Sequence, residues 1–429
     1  MEFRFKDGFL MGVSSASTQI EGGEIENNWL DWYRKGHIHD NTSPAVADDH
    51  WNRWEEDTQL MIDMKLQISR FGIEWARIQP AEDRIDKAAI QRYRKELMML
   101  RDHGIRPLLT IHHFSNPMWF EEKGAFLKRE NLHYFLKFAE LAVKCFGDLA
   151  SDYITINEPN VYASNSYMWG EWNPGHKSFK EYATVLENLA YCHIKAYQMI
   201  HRVRSRMGYS DTKVGFANHL RVFDPKNEKN PAHRAAAKAA KWAFQGAITE
   251  AMTLGRFRLP LRDHWHIKEG LYTDFNGINY YSRSTIEGLH DGVREHSPIN
   301  DLGWEIYPDG IVRVAADLMK VAQLPIWITE NGTADTNDSF RPRYIAEHLK
   351  AISESDLPFE RYYHWCFCDN WEWLEGQSAR FGLVHVDYDT QKRTVKDSGR
   401  MFTEMIEAGG MTEDIWERYV KDVEYNTND

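Results

Sequence analysis

The chain has 429 residues, of which 42% are apolar, 27% charged and 13% aromatic, a balance that excludes a disordered or collagen-like chain and allows a large core. With 52 Lys and Arg against 64 Asp and Glu, the formal net charge is −12, which argues against a nucleic-acid backbone as the main partner. At roughly 150 residues per domain the length suggests about three domains, although one α/β barrel also fills it.

In chain order, the N-terminus carries Glu2, Arg4, Lys6 and Asp7 with no apolar stretch behind them, so no secretory leader is expected. A first strand is expected over 9–14, leading to Gln19 and Glu21, then a helix over 51–65 and a strand over 67–75 carrying Arg70 and Glu74. A helix over 86–103 places Ile90, Tyr93, Leu97 and Leu100 on one face and ends near Gly104. The strand over 105–113 ends in His112 and His113. A helix over 130–147 aligns Leu132, Phe135, Ala139, Val143 and Phe146, and the strand over 152–157 ends in Asn157 and Glu158. Further helices are expected over 178–207, 231–254, 308–323, 341–354 and 397–407. Between them fall strands over 213–218, 275–281, 325–330 and 362–367. The last three lead to Asn279, Tyr280 and Tyr281, to Glu330 and Asn331, and through Trp365 to Asp369, Glu372 and Trp373.

Eight strands alternating with helices point to an α/β fold, a (β/α)8 barrel forming one catalytic domain over 1–429. A doubly wound open sheet would be favoured by a GxGxxG or Walker A loop after the first strand, and neither is present. No run approaches the ~18 apolar residues of a membrane span. Cys145, Cys192, Cys366 and Cys368 form no CxxC pair or disulfide framework, so a reducing, cytoplasmic setting is expected.

Active sites of such barrels lie at the C-terminal strand ends. Six of those ends carry polar, acidic or aromatic groups. Glu158 and Glu330 are the sharpest, in Thr155-Ile156-Asn157-Glu158-Pro159 and Ile328-Thr329-Glu330-Asn331-Gly332. Two carboxyls across a pocket suit glycosidic cleavage, one protonating the leaving oxygen and the other attacking or activating water. Two strand-end acids bonded to neighbouring backbone N–H groups are the plainer alternative, and spacing leaves both open.

Further motifs join these two: Ser17 to Gly22 (STQIEG), Arg70 to Arg77 (RFGIEWAR), Gly277 to Tyr281 (GINYY), Gly303 to Pro308 (GWEIYP), Asp369 to Trp373 (DNWEW) and Arg380-Phe381-Gly382. In this order, from Phe9 to Ser398, they resemble glycoside hydrolase family 1, the retaining β-glycosidases built on a (β/α)8 barrel. The resemblance implies Glu330 as nucleophile, with Arg70 and Tyr281 favouring its charged form, and Glu158 as acid and then base, protonated near neutral pH. It implies that Asn157 bonds the sugar 2-hydroxyl and that Gln19, His113 and Glu372 bond other hydroxyls. Trp365 would stack beneath the sugar, Trp373 would add an indole N–H, and Asn279 would support the nucleophile region. It further implies an exo-acting retaining β-glycosidase, most simply a β-glucosidase, with side activity on β-galactosides or β-fucosides and with transglycosylation. The partners would be small β-glycosides or oligosaccharides, with no cofactor, metal, nucleic acid or membrane.

One departure is Phe114, where the family usually has Trp after His113; Phe supplies no N–H. His112 reads as a structural histidine, and adjacent strand residues face opposite ways, which argues against metal binding by His112 and His113. Family members acting on 6-phosphoglycosides place Ser at Glu372 and Lys and Tyr at Ala379 and Phe381, so that activity is disfavoured here. A non-hydrolysing sugar-binding barrel and a metal-dependent barrel hydrolase are the alternatives; the latter lacks an HxH or HExxH motif. Trp169 and Trp172 are candidates for an aglycone platform.

Overall fold

Eight short runs of β-branched and apolar residues become eight parallel strands closed on themselves in the computed structural model, which describes residues 1–428. They are β1 (Leu10–Ser14), β2 (Ile68–Gly72), β3 (Arg106–His112), β4 (Asp152–Asn157), β5 (Lys213–Pro225), β6 (Asn276–Glu287), β7 (Ile326–Asn331) and β8 (Phe359–Trp365). Each pairs with the next, β8 pairs with β1, and this closes the barrel. The helices between them are α1 (His50–Asp63), α2 (Lys87–Asp102), α3 (Leu132–Phe146), α4 (Phe179–Arg206), α5 (Pro231–Lys241), α6 (Gly310–Val321), α7 (Arg341–Glu354) and α8 (Asp397–Ala408).

Local chemistry sets these boundaries. Asp86 accepts from the N–H groups of Ala88 and Ala89 at the start of α2. Ser178 accepts from Glu181 N–H at the start of α4, the spacing of a capping box. Asn230 caps α5, with Pro231 in the first turn where its missing N–H costs nothing. A π-helical turn, Trp242–Gly246, then carries α5 into a further helix, Ala247–Leu254.

The N-terminal end of the barrel is plugged. Ile68, Leu108, Ile154, Ala217, Phe275, Trp327 and Tyr363 form a separate buried cluster, close to one residue per strand. Phe275 stacks on Trp327 at 3.7 Å, and the Arg361 guanidinium lies 3.5 Å over the Trp327 ring while pairing with Asp152 at 2.6 Å. A substrate therefore has access only from the opposite, C-terminal mouth.

The expected strands and helices are all present, with shifted ends. The strand expected over 67–75 stops at Gly72, because Glu74 caps a short helix, Trp75–Ile78, with its side chain on Ala76 N–H. β5 and β6 run well past 218 and 281, pairing with each other up to Pro225 and Ile286 beyond the barrel rim. Gly332 shows why glycine follows Glu330-Asn331: an added Cβ would lie 1.8 Å from the Trp365 carbonyl oxygen. Among the described residues no helix is long and apolar enough to cross a membrane.

Candidate active site

Arg70 organises the rim from β2. Fully buried, its guanidinium donates to Glu330 Oε1 at 2.6 Å, Asn157 Oδ1 at 2.6 Å, the Thr329 carbonyl at 3.0 Å and Thr110 Oγ1 at 3.0 Å. Tyr281 on β6 donates its hydroxyl to the other Glu330 oxygen, Oε2, at 2.6 Å. Burial and the neighbouring Glu330 charge push the phenol well up, so it remains a donor. Both oxygens of Glu330 are thus met by donors that favour its charged form.

Glu158 directly follows β4 in the left-handed region, at φ +39. Pro159 disfavours the right-handed region for its predecessor, and Glu158 N–H is held by the Ala217 carbonyl at 2.7 Å. Asn279 joins the two carboxyls' surroundings. Its Nδ2 donates to Glu158 Oε1 at 2.9 Å and to Asn157 Oδ1 at 3.0 Å, and its Oδ1 accepts from Thr329 Oγ1 at 2.6 Å. Asn157 Nδ2 in turn donates to His113 Nε2 at 3.0 Å, which leaves the His113 proton on Nδ1. Burial and then the Arg70 charge keep His113 neutral, well below its ordinary value.

These groups open onto a cavity of about 310 Å³ lined by Glu158, Tyr281, Glu330, Glu372, His113, Trp365 and Trp373. Trp365 and Trp373 both stack against His113, with ring centroids 5.7 and 5.9 Å away. Gln19 donates to Glu372 Oε2 at 3.1 Å and to the Trp371 carbonyl at 3.0 Å. Its Oε1 and His113 Nδ1 are buried polar atoms without a partner among the described residues. Phe114 packs between Trp172 (4.8 Å) and Trp373 (5.3 Å), a filler of the cavity wall. Trp172 lines the cavity, whereas Trp169 is half exposed and outside its lining.

All eleven site residues expected from the sequence meet here. Other strand-end groups prove structural. Glu74 accepts from Thr18, Ser17 and Ser115 hydroxyls, Glu21 pairs with Arg77, and Asp369 pairs with Lys396 and Arg380. His112 bonds Asn116, and its burial pushes it down to about 4.

One residue absent from the sequence reading changes the electrostatics. His219 on β5 places Nδ1 3.0 Å from Glu158 Oε1. The two carboxyls titrate as a pair. Burial pushes Glu330 up to about 7, with Arg70 opposing and the Glu158 charge adding. Burial raises Glu158 too, and the hydrogen bonds from His219 and Asn279 oppose it by favouring the charged form. Burial, and next the Glu330 charge, also raise Glu372 to about 8.

A plugged barrel with two carboxyls beside an aromatic-walled cavity defines a barrel glycoside hydrolase. Residues 1–411 match Glycosyl hydrolase family 1. β-Glucosidase A of Thermotoga maritima is 31% identical over 95% of this chain and 99% of its own length. A β-galactosidase of Saccharolobus solfataricus is 27% identical over 96% and 97%. Among solved structures, a β-glycosidase from Pyrococcus horikoshii superposes with a TM-score of 0.89 at 31% identity, covering 98% of each chain. The T. maritima β-glucosidase in complex with glucoimidazole gives 0.88 at 30%, covering 95% of this chain and 100% of that one. The chain belongs to glycosyl hydrolase family 1 and is a β-glycosidase.

Proposed function

We propose that the protein is a retaining, exo-acting β-glucosidase acting on small β-glucosides or β-linked oligosaccharides. β-Galactosides and β-fucosides are slower substrates, and transglycosylation is a side reaction. One observation carries the reading: Glu330 is gripped on both oxygens by Arg70 and Tyr281, and Glu158 lines the same cavity. Glu330 attacks the anomeric carbon while Glu158 passes its proton to the leaving oxygen. Glu158 then takes a proton from water, which attacks the glycosyl ester and frees Glu330. Arg70 and Tyr281 keep the reactive arrangement, Glu330 charged and Glu158 protonated, within reach of the one-proton pair. Asn157, Gln19, His113, Glu372 and Trp373 bond sugar hydroxyls, Trp365 supports the ring face and Asn279 holds Glu158 to the Arg70 cluster. The glucoimidazole bound by the T. maritima relative supports a sugar-like ligand. Four unpaired thiols support a reducing, cytoplasmic setting for a single catalytic barrel.

The test is a panel of nitrophenyl β-glycosides differing at one hydroxyl, with the product anomer followed by NMR. The β-glucoside is expected to turn over fastest and to yield β-glucose first. Its 6-phosphate is expected to be slower by at least about 100-fold, because Glu372 faces the cavity and no cation stands at Ala379 or Phe381. Inversion of the anomer, or preference for the 6-phosphate, overturns the reading.

The pH dependence follows from the pair. Activity needs one proton on the two carboxyls, so kcat/KM is lost as pH falls and both become protonated. It is lost again as pH rises through about 7 and the last proton leaves. A kcat/KM profile flat from pH 6 to 9 would contradict this assignment.

A further inference from the structure

β5 continues past the barrel rim with His219 and Arg221 two residues apart, on the same face of the strand as the plug residue Ala217. The Arg221 Nε–H donates to His219 Nε2 at 2.9 Å. A nitrogen that accepts from a guanidinium carries no proton of its own, so the imidazole proton is on Nδ1. Nδ1–H therefore donates to Glu158 Oε1 at 3.0 Å, the same oxygen that accepts from Asn279. No donor reaches Oε2 among the described residues.

The ring is held for this task. It lies parallel to the Tyr281 ring at 5.8 Å and edge-on to Phe244 at 5.9 Å, and it is 7% exposed. Gln245, in the π-helical turn, accepts from the Arg221 backbone N–H at 3.0 Å and donates to the Arg221 carbonyl at 3.2 Å. The π-helical turn thus braces the strand where the two side chains project.

We propose that Arg221 and His219 form a positioning relay that makes Glu158 Oε1 a fixed acceptor, so that Oε2 alone delivers and retrieves the catalytic proton. The relay rests on Glu158 as the acid and base. Donation to the carboxylate favours the ionised form, so Glu158 releases its proton more readily than an unsupported glutamate in this site. The other charged and titratable groups facing Glu158 are Arg70 from β2, Tyr281 from β6, Glu330 from β7 and Glu372 beyond β8. Arg221 faces Asp291 at 3.4 Å on its outer side, and Glu171 lines the same cavity.

The test compares the basic limb of the kcat/KM profile on p-nitrophenyl β-glucoside in wild type, H219F, H219N and R221L. Phe keeps the ring packing and removes the donor, whereas the Asn amide restores an N–H near the Nδ1 position. H219F is expected to move the limb up by about one pH unit, the size of one charge-assisted hydrogen bond. R221L is expected to move it at least half as far, and H219N to return it to within about 0.3 units of wild type. On 2,4-dinitrophenyl β-glucoside, whose leaving group needs no proton, all three variants should stay within about 2-fold of wild type on the acid side. If H219F fails to fold, R221L and H219N carry the same comparison. An unmoved limb in R221L, or a uniform loss on both substrates at every pH, makes His219 a packing residue and overturns the relay. E158Q separates the underlying assignment: full activity on poor leaving groups in that variant overturns the role of Glu158 itself.

Discussion

Replacing Glu330 with glycine is expected to lower turnover of p-nitrophenyl β-glucoside by at least about 10⁴-fold, the scale on which other hydrolases lose rate with their nucleophile. The surroundings predict more than loss. Arg70 is fully buried, and among the described residues its one ion pair is with the Glu330 carboxylate at 2.6 Å. Its other acceptors are the neutral oxygens of Asn157, Thr110, Thr329 and Ser14. Breaking such a pair leaves a desolvated cation, at a cost of about 3–5 kcal/mol. E330G should therefore unfold at lower urea than wild type. Azide or formate should recover part of that stability, because a small anion can take the carboxylate's place beside Arg70 and the Tyr281 hydroxyl. The same anion stands where Glu330 attacked, so it displaces the aglycone directly. Glu158 still supplies the proton, and one inversion gives the α-glucosyl azide. An α product by NMR confirms Glu330 as the attacking group. Wild-type-like turnover without added anion removes that assignment.

The two glutamates were readable because each follows a short run of buried β-branched residues, which marks a strand and puts the acid at its C-terminal end. Arg70 was equally legible, since a cation inside an apolar strand needs an anion in the barrel. The relay was not. A strand ending at Asn218 stops one residue short of His219, and Asn and His are weak strand formers. The alternation does continue: Ala217, His219 and Arg221 share one face, with Leu220 and Val222 buried on the other. What hid it is that β5 leaves the barrel while still paired with β6, a tertiary circumstance with little local signal. Glu21 and Glu74 show the converse. They lie near strand ends, but Arg77, Tyr93 and three hydroxyls consume them, and those partners come from α2, from the short helices Ser17–Ile20 and Trp75–Ile78 and from Ser115 after β3. The donor on Glu158 was hidden for the same reason as the end of β5, because it comes from His219. Trp172 and Trp169 were indistinguishable by type and spacing. Packing against Trp29 and Phe114 brings only Trp172 to the cavity.

Replacing Glu158 with alanine is expected to separate the two halves of the reaction. In the first half its proton matters in proportion to the basicity of the leaving group. A dinitrophenolate departs unaided, so kcat/KM on that substrate should fall by less than about 10-fold, whereas a methyl or cellobiosyl leaving group should lose about 10²–10⁴-fold. In the second half every substrate passes through the same glycosyl ester on Glu330, and water must attack it without a base. The dinitrophenyl substrate should therefore show a burst equal to one enzyme equivalent and then a slow steady state. Azide needs no base. It should raise kcat on dinitrophenyl β-glucoside toward the wild-type value and give the β-glucosyl azide, the product of two inversions. The opposite anomers expected from E330G and E158A assign the two carboxyls independently of their titration, which belongs to the pair. Glu158→Ala also frees the Nδ1–H of His219 and the Nδ2 of Asn279, which both served Oε1. Those two donors face the space the carboxylate filled and form a second anion site, so azide rescue should saturate. Equal losses on good and poor leaving groups, or an α-azide from this variant, would show that Glu158 is not the acid.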